Sequence, residues 1–250
     1  MADSFSHHTR IDKGLWRPVI HVAALSFLSV FLILFAYLSG INRIFDLKCY
    51  DIYCQQFSKQ YSKDDIIIVE FDQQSIDWLA QMGLFWPWPR QIYEPVIHYL
   101  SGADAIFLDI IFSEHSSYGR EDDQRFASAV RKAGNVYMCM PLEKHPRTMT
   151  AEEKAYLNSA SVSMPVPAPV AYDSALLPIP ALRRACKGTG NVSVPADPDG
   201  IYRRLPLFDR MEDMIFPQMA SRYFLDKLKL TTRENSLIIN GHIVPLKQGF

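Results

Sequence analysis

Ile66-Ile67-Ile68-Val69-Glu70-Phe71, Ala105-Ile106-Phe107-Leu108-Asp109-Ile110-Ile111-Phe112 and Asn135-Val136-Tyr137-Met138-Cys139-Met140 are three short apolar stretches bounded by acidic or turn-forming residues. A strand buried on both faces has no solvent side to mark with polar residues, so it reads as a continuous run rather than an alternation. Between the first two stretches, residues 91–101 place Ile92, Val96, Ile97 and Leu100 on one helical face. Pro95 fits there only in the first turn, where its missing N–H is not needed, and Gly102 marks the stop. Between the second and third, residues 121–133 set Phe126, Ala129, Val130 and Ala133 at i, i+3, i+4 and i+7 and end at Gly134. Strand, helix, strand, helix, strand with short connections is the crossover pattern. It predicts an α/β fold with a mostly parallel central sheet flanked by helices.

Downstream the character changes. Residues 143–180 combine a polar stretch, including 151–158, with prolines at 165, 167, 169, 178 and 180, which predicts an irregular proline-rich insertion or lid. A short helix around residues 181–186 leads through Gly188-Thr189-Gly190 into Asn191-Val192-Ser193-Val194. Asp197-Pro198-Asp199-Gly200 is a turn signal, and residues 201–208 read as the returning strand. Residues 217–229 begin with proline, as helices do. Residues 237–246 form a C-terminal β-hairpin about Asn240-Gly241.

Upstream, residues 19–38 are a run of 20 without Asp, Glu, Lys or Arg. As a helix rising about 1.5 Å per residue it reaches roughly 30 Å, the thickness of a bilayer's hydrocarbon core. A buried helix of a soluble protein would show a polar face at this length. A cleaved signal peptide has a shorter apolar region and a small-x-small site, for which Leu38-Ser39-Gly40 is a poor substitute. The reading is an uncleaved transmembrane anchor over residues 18–41. Arg10, Lys13 and Arg17 precede it with only Asp3 and Asp12, which puts residues 1–17 in the cytoplasm. Residues 42–63 follow as a juxtamembrane helix with apolar positions at 44, 45, 47, 52 and 57. Residues 64–250 are then an extracytoplasmic domain of a single-pass protein of the inner, cytoplasmic membrane.

Composition narrows the function classes. With 26 basic and 27 acidic residues the net charge is −1, so no global field draws nucleic acid to the chain. Cys49, Cys54, Cys139 and Cys186 show no zinc spacing and read as structural or incidental thiols. Cys49 and Cys54 lie about 140° apart around a helix, which strains a bridge within it and leaves an intermolecular one open. His98, His115, His145 and His242 lie in no ligand spacing, and neither a kinase Gly-rich loop nor cyclase metal-binding aspartates occur. The expectation is a protein that is not an enzyme and carries no cofactor.

Several motifs together resemble the second family of CHASE domains. They are the run 66–71 ending in Asp72, Trp86-Pro87-Trp88-Pro89-Arg90, the run 105–112 with Asp109, and Phe112-Ser113-Glu114 followed by Asp122-Asp123. Gly190-Asn191-Val192, the Asp197-x-Asp199-Gly200 turn and Arg203-Arg204-Leu205-Pro206-Leu207 add to it, so the resemblance covers about residues 42–246. It implies an extracytoplasmic sensory module whose output is commonly an adenylate or guanylate cyclase, a histidine kinase, a serine/threonine kinase or a diguanylate cyclase. Such modules usually lie between an N-terminal span and several further ones. This chain has no second apolar span, which reads as a fragment of a longer receptor or a subunit that signals through a partner.

Ligands of open α/β sheets bind beyond the carboxyl ends of the strands. Asp72 and Asp109 occupy that end of the first two strands, Arg90 follows a Pro-flanked turn, and Ser113, Glu114, Asp122 and Asp123 come from the next connection. One reading is a polar pocket in which Arg90 pairs an anionic group, Asp72 and Asp109 accept hydrogen bonds or hold a cation, and Trp88 with Trp86 forms an aromatic clamp. The other is a structural ion pair between Arg90 and an aspartate, with Asp122 or Asp123 capping the next helix and the tryptophans in the core or a dimer contact. At the level of function, three readings stand. They are a sensor working across the membrane as a homodimer or with a partner subunit, a periplasmic interaction protein without a small-molecule ligand, and a metal-dependent hydrolase.

Overall fold

In a computed structural model, which describes residues 13–58, 65–163, 168, 170–227, 231–233, 236–239 and 242–245, the chain divides into two compact units. These are Met1–Ile68 and Val69–Phe250. The first contains α1 (Lys13–Leu38) and α2 (Ile41–Phe57), separated by Gly40 in the left-handed conformation at φ 73°. Pro18–Leu38, 21 residues, is long and apolar enough to cross a membrane, and none of it is buried. A helix expected over residues 42–63 forms as α2 as far as Phe57; residues 59–63 lie outside the described residues.

The run at the boundary of the two units needs a correction. Residues 66–71 form no strand, and Ile66, Ile67 and Ile68 are 72%, 78% and 84% exposed rather than buried on both faces. An apolar run specifies burial without specifying a partner, and this one has no hydrogen-bonded neighbour among the described residues. Only its last residue reaches the core: Phe71 stands edge-on to Trp88 and Tyr93, with ring centroids 5.4 and 5.7 Å apart. Asp72 then turns the chain into α3 (Gln73–Gln81). The expected helix over 91–101 is a 3₁₀ turn, α4 (Tyr93–Tyr99) and a second 3₁₀ turn, with Pro95 in the first turn of α4.

From there the predicted alternation follows: β1 (Ile106–Leu108), α5 (Arg120–Ala133), which ends at Gly134 with φ 71°, and β2 (Val136–Cys139). Next come β3 (Leu142–Glu143), α6 (Ala151–Ala160), β4 (Ala171–Tyr172), β5 (Ser174–Ala175), α7 (Pro180–Arg183) and β6 (Gly188–Gly190). The chain continues through β7 (Phe208–Met211), β8 (Met214–Pro217) and α8 (Met219–Lys227) to β9 (Thr231–Arg233), β10 (Ser236–Ile239) and β11 (His242–Pro245). The fold is α/β. Its parallel sheet has the order β1-β2-β6, with Ile106 opposite Val136 and Tyr137 opposite Gly188. Around Phe126, Val130, Ile97, Tyr93, Val136, Met138 and Leu182, α4, α5 and α7 pack against it to form one core. A second core, with Met140, Leu157, Tyr172, Met211 and Phe216, gathers α6 and the small sheets β3-β5 and β4-β7-β8.

Two further elements differ from expectation. The Asp197–Gly200 turn forms, with Gly200 donating to the Asp197 carbonyl at 2.8 Å, but residues 201–206 make no strand. Arg203 is drawn to the Asp197 and Asp199 carboxylates instead, and Pro206 has no N–H to give to a ladder. The insertion is not irregular throughout: Thr150 and Glu153 close a reciprocal capping box at the start of α6. Prolines 165, 167 and 169 lie outside the described residues, as do Asn240 and Gly241, although β10 and β11 pair with Ile239 opposite His242.

Candidate functional site

Arg90 sits in the 3₁₀ turn after Pro89 with its side chain 8% exposed. One guanidinium nitrogen bonds Asp123 and the other donates to the Glu114 carbonyl, while the carbon between them stands 5.3 Å from the centre of the Phe112 ring. Asp122 accepts from the Arg90 amide at 2.7 Å, the Gln91 amide at 2.9 Å and Ser116 Oγ at 2.6 Å. Asp123 also accepts from the Ser116 amide at 3.1 Å and lies 2.7 Å from His115 Nδ1. Both aspartates occupy the first turn of α5, where the helix dipole favours negative charge. Burial lowers the Arg90 pKa below its ordinary value, opposed by the Asp123 and Asp122 charges. For Asp122, burial pushes the pKa up, but the hydrogen bonds from Ser116, Arg90 and Gln91 outweigh it and leave the carboxyl below the usual range.

The structure therefore brings Arg90, Asp122, Asp123 and the backbone of Glu114 together as a clasp joining the Pro-flanked turn, the 114–116 loop and α5. It does not add Asp72 or Asp109. Asp72 caps α3, accepting from the Ser75 amide at 2.8 Å and Ser75 Oγ at 2.7 Å, and these bonds hold its pKa below the ordinary value. Asp109 is exposed just past β1. Its charge reaches Cys139, whose thiol is raised to about 12, first by burial and then by Asp109. Trp88 is buried in the core with its indole nitrogen unpartnered, edge-on to the half-exposed Trp86 at 5.1 Å. Ser113 is half-buried and Glu114 exposed. Among the described residues no three His, Cys, Asp or Glu side chains are grouped to hold a metal ion.

Two polar groupings were not singled out by sequence reading. Asn191, just after β6, donates to Asp209 Oδ2 of β7 at 2.6 Å, and Gln218, just after β8, donates to the same atom at 3.0 Å. Asp209 is fully buried, its other oxygen has no partner, and burial raises its pKa to about 6 against the pull of Asn191 and Gln218. A lone aspartate in an apolar strand is the signal that was available. Around α6, Arg183 donates to Glu152 at 3.2 Å, and Tyr156 Oη lies 3.0 Å from Thr189 Oγ1. Thr150-x-x-Glu153 would have announced that helix. Arg203 points inward and Arg204 is 44% exposed, as expected of neighbours on extended chain. They border an open groove of about 490 Å³ with Val192, Val194, Tyr202 and Leu205.

No curated protein and no solved structure matches the chain. A family model does: that of the CHASE2 domain, over residues 27–248. CHASE2 domains are sensory domains of receptors such as cyclases and kinases. The match spans the Trp86–Arg90 motif, the clasp that Arg90 closes with Asp122 and Asp123, and the Asp197–Leu207 segment on which the sequence resemblance rested, and the chain belongs to the CHASE2 family.

Proposed function

We propose that the chain is a membrane-anchored extracytoplasmic sensory domain, non-catalytic itself, that detects a signal and passes it through α2 and the span to a cyclase or kinase output. That output is a further part of the same receptor or a partner subunit, and the sensor acts as a homodimer. The observation that carries this reading is one unburied apolar helix, Pro18–Leu38, leading through α2 into a CHASE2 domain. The charged residues of the predicted pocket support a non-catalytic role. Arg90, Asp122 and Asp123 are bonded to one another and to backbone rather than set as base against a nucleophile. In this reading the clasp is the rigid frame, and a ligand acts by binding two states of the domain with different affinity. Fusions of alkaline phosphatase and of a cytoplasm-only fluorescent protein after Phe250 test it. Phosphatase activity with a dark fluorescent fusion is expected, and the reverse pattern overturns it.

A second reading, docking of a protein partner, is favoured by one observation. Trp78, Met82, Phe85 and Trp86, on α3 and the turn after it, are 61%, 53%, 65% and 51% exposed, a cluster of large apolar side chains uncommon on a monomer's surface. Light scattering of the detergent-solubilised protein and of a Trp78→Glu, Phe85→Glu variant separates a homodimer built on this face from a monomer.

A further inference from the structure

Helix α6 is attached to the body of the domain in an unusual way. Of its ten residues only Leu157 and Ala160 are buried, so little apolar surface holds it. Polar contacts do the rest. Arg147, which also donates to the Ala175 carbonyl, donates to Glu153 in the first turn at 3.0 Å. Arg183 of α7 donates to Glu152 in the first turn at 3.2 Å and lies over the Tyr156 ring, 5.1 Å from its centre. Tyr156 meets Thr189 of β6 at 3.0 Å. Arg222 of α8 donates to the carbonyl of Ala160 in the last turn at 3.2 Å. Contacts of this kind, each worth about 1 kcal/mol net, are the ones that local opening breaks first.

What α6 covers is a set of donors with too few acceptors. The Arg183 side chain is 5% exposed, yet its Nη1 is buried without a hydrogen-bond partner among the described residues. Its single carboxylate partner, Glu152, is 64% exposed and also lies 3.7 Å from Arg184. Arg222 Nε makes no hydrogen bond; it stands 3.4 Å from Asp226, and a Cβ at Gly188 would sit 3.1 Å from it. The Arg183 guanidinium lies over the Tyr156 ring and the Tyr156 hydroxyl meets Thr189, so α7 and β6 bring polar groups to the same side chain of α6. The plain alternative is a structural latch. A latch, however, has no use for a buried guanidinium nitrogen without an acceptor, which costs about 1–3 kcal/mol, whereas a guanidinium fork matches the two oxygens of a carboxylate or phosphate.

We propose that Arg183, with Tyr156 and Thr189 beside it, forms a binding site for a small oxyanion, a carboxylate or a phosphate group, over which α6 is the lid. The anion takes the place of Glu152 on Arg183 and meets the unpartnered Nη1, and its occupancy sets the position of α6. The site names the ligand class for the sensory reading and rests on that reading for its role, though not for its chemistry.

The test uses the full chain in detergent, with sodium phosphate and sodium acetate as separate probes against sodium chloride at equal ionic strength. Thermal unfolding and amide exchange over residues 151–160 are followed. The expected result is a midpoint raised by several degrees by one of the anions, with altered exchange in α6; which anion does so assigns the class. Arg183→Gln abolishes the shift, Arg183→Lys, which keeps the charge but loses the fork, weakens binding at least tenfold, and Arg131→Gln on α5 leaves it intact. No shift with either anion, or a shift that survives Arg183→Lys unchanged, overturns the site. If Arg183→Gln does not fold, the lysine variant and the probe comparison decide alone. The reporter fusions separate this outcome from the wider reading. Anion binding by a domain that proves cytoplasmic keeps the site and removes the sensor, and an extracytoplasmic domain that binds neither anion does the opposite.

Discussion

The Arg90 clasp and the polar groups around α6 and Asp209 are both buried, and they differ in whether the hydrogen bonds close. At the clasp, both terminal guanidinium nitrogens and both carboxylates of Asp122 and Asp123 have partners, three of them backbone amides. Beneath α6 and between β7 and β8, Arg183 Nη1 and Asp209 Oδ1 have none. A satisfied network specifies one arrangement of the chain, whereas an unsatisfied buried group costs free energy in the resting state and marks a place where a second state or a ligand could improve matters. Charge in a motif therefore does not by itself identify the responsive part of the molecule.

Removing one partner from the clasp is the severest way to test that contrast. Asp123→Ala removes the carboxylate bonded to the buried Arg90 guanidinium and should destabilise the Val69–Phe250 unit by about 3–5 kcal/mol in urea unfolding. A loss below 1 kcal/mol would mean the clasp is no more than a surface contact.

At Asp209 the sign reverses. Its folded pKa, about 6, lies above the ordinary 3.8, so the fold favours the protonated form. The stability this gives is fully present below about pH 4 and is lost as pH rises through 6, a difference of about 3 kcal/mol. Asp209→Asn keeps an acceptor for Asn191 and Gln218 and removes the charge. The variant should gain on the parent protein by up to that amount between pH 4 and pH 7.5. Equal pH profiles for the two proteins would show that Asp209 is solvated or paired.

Gly190→Ala probes how tightly the two cores are joined. Its Cβ would stand 2.3 Å from Met219 Cα, so α8 must move off β6, at about 1–3 kcal/mol. The smallest effect belongs to the lid itself. Thr150→Ala removes the capping box of α6 and should cost about 1 kcal/mol, read as faster amide exchange in residues 151–160 with the β2 amides unchanged. Equal acceleration in both would make α6 part of the global unfolding unit rather than a lid.

What could be read from the sequence was whatever a local period or a covalent constraint fixes. The α5 stripe of Phe126 and Val130 with its Gly134 stop, Pro95 in the first turn of α4, and the unbroken apolar span all appear where expected. What failed depended on a partner. Residues 66–71 are as apolar as β2, but pairing is a tertiary property, and Asp197 and Asp199 pull Arg203 out of the strand register its neighbours suggest. At the site, the motif residues Arg90, Asp122 and Asp123 do converge, across more than thirty positions of sequence. Asp72 and Asp109 share only a place toward the carboxyl end of an apolar run. The buried Asp209 and Arg183 belong to no motif, and only the three-dimensional count of donors and acceptors reveals them.

The central claim, that the CHASE2 unit lies outside the cytoplasm behind a single anchor, can be tested at α2. Cys49 is an exposed free thiol there and Cys139 is buried. In a Cys54→Ser, Cys186→Ser variant, treated with reductant and then with a membrane-impermeant maleimide on intact spheroplasts, Cys49 should be labelled before lysis, and the further change Cys49→Ser should abolish the signal. Labelling that appears only after the membrane is broken would place α2 and the domain inside and contradict the account.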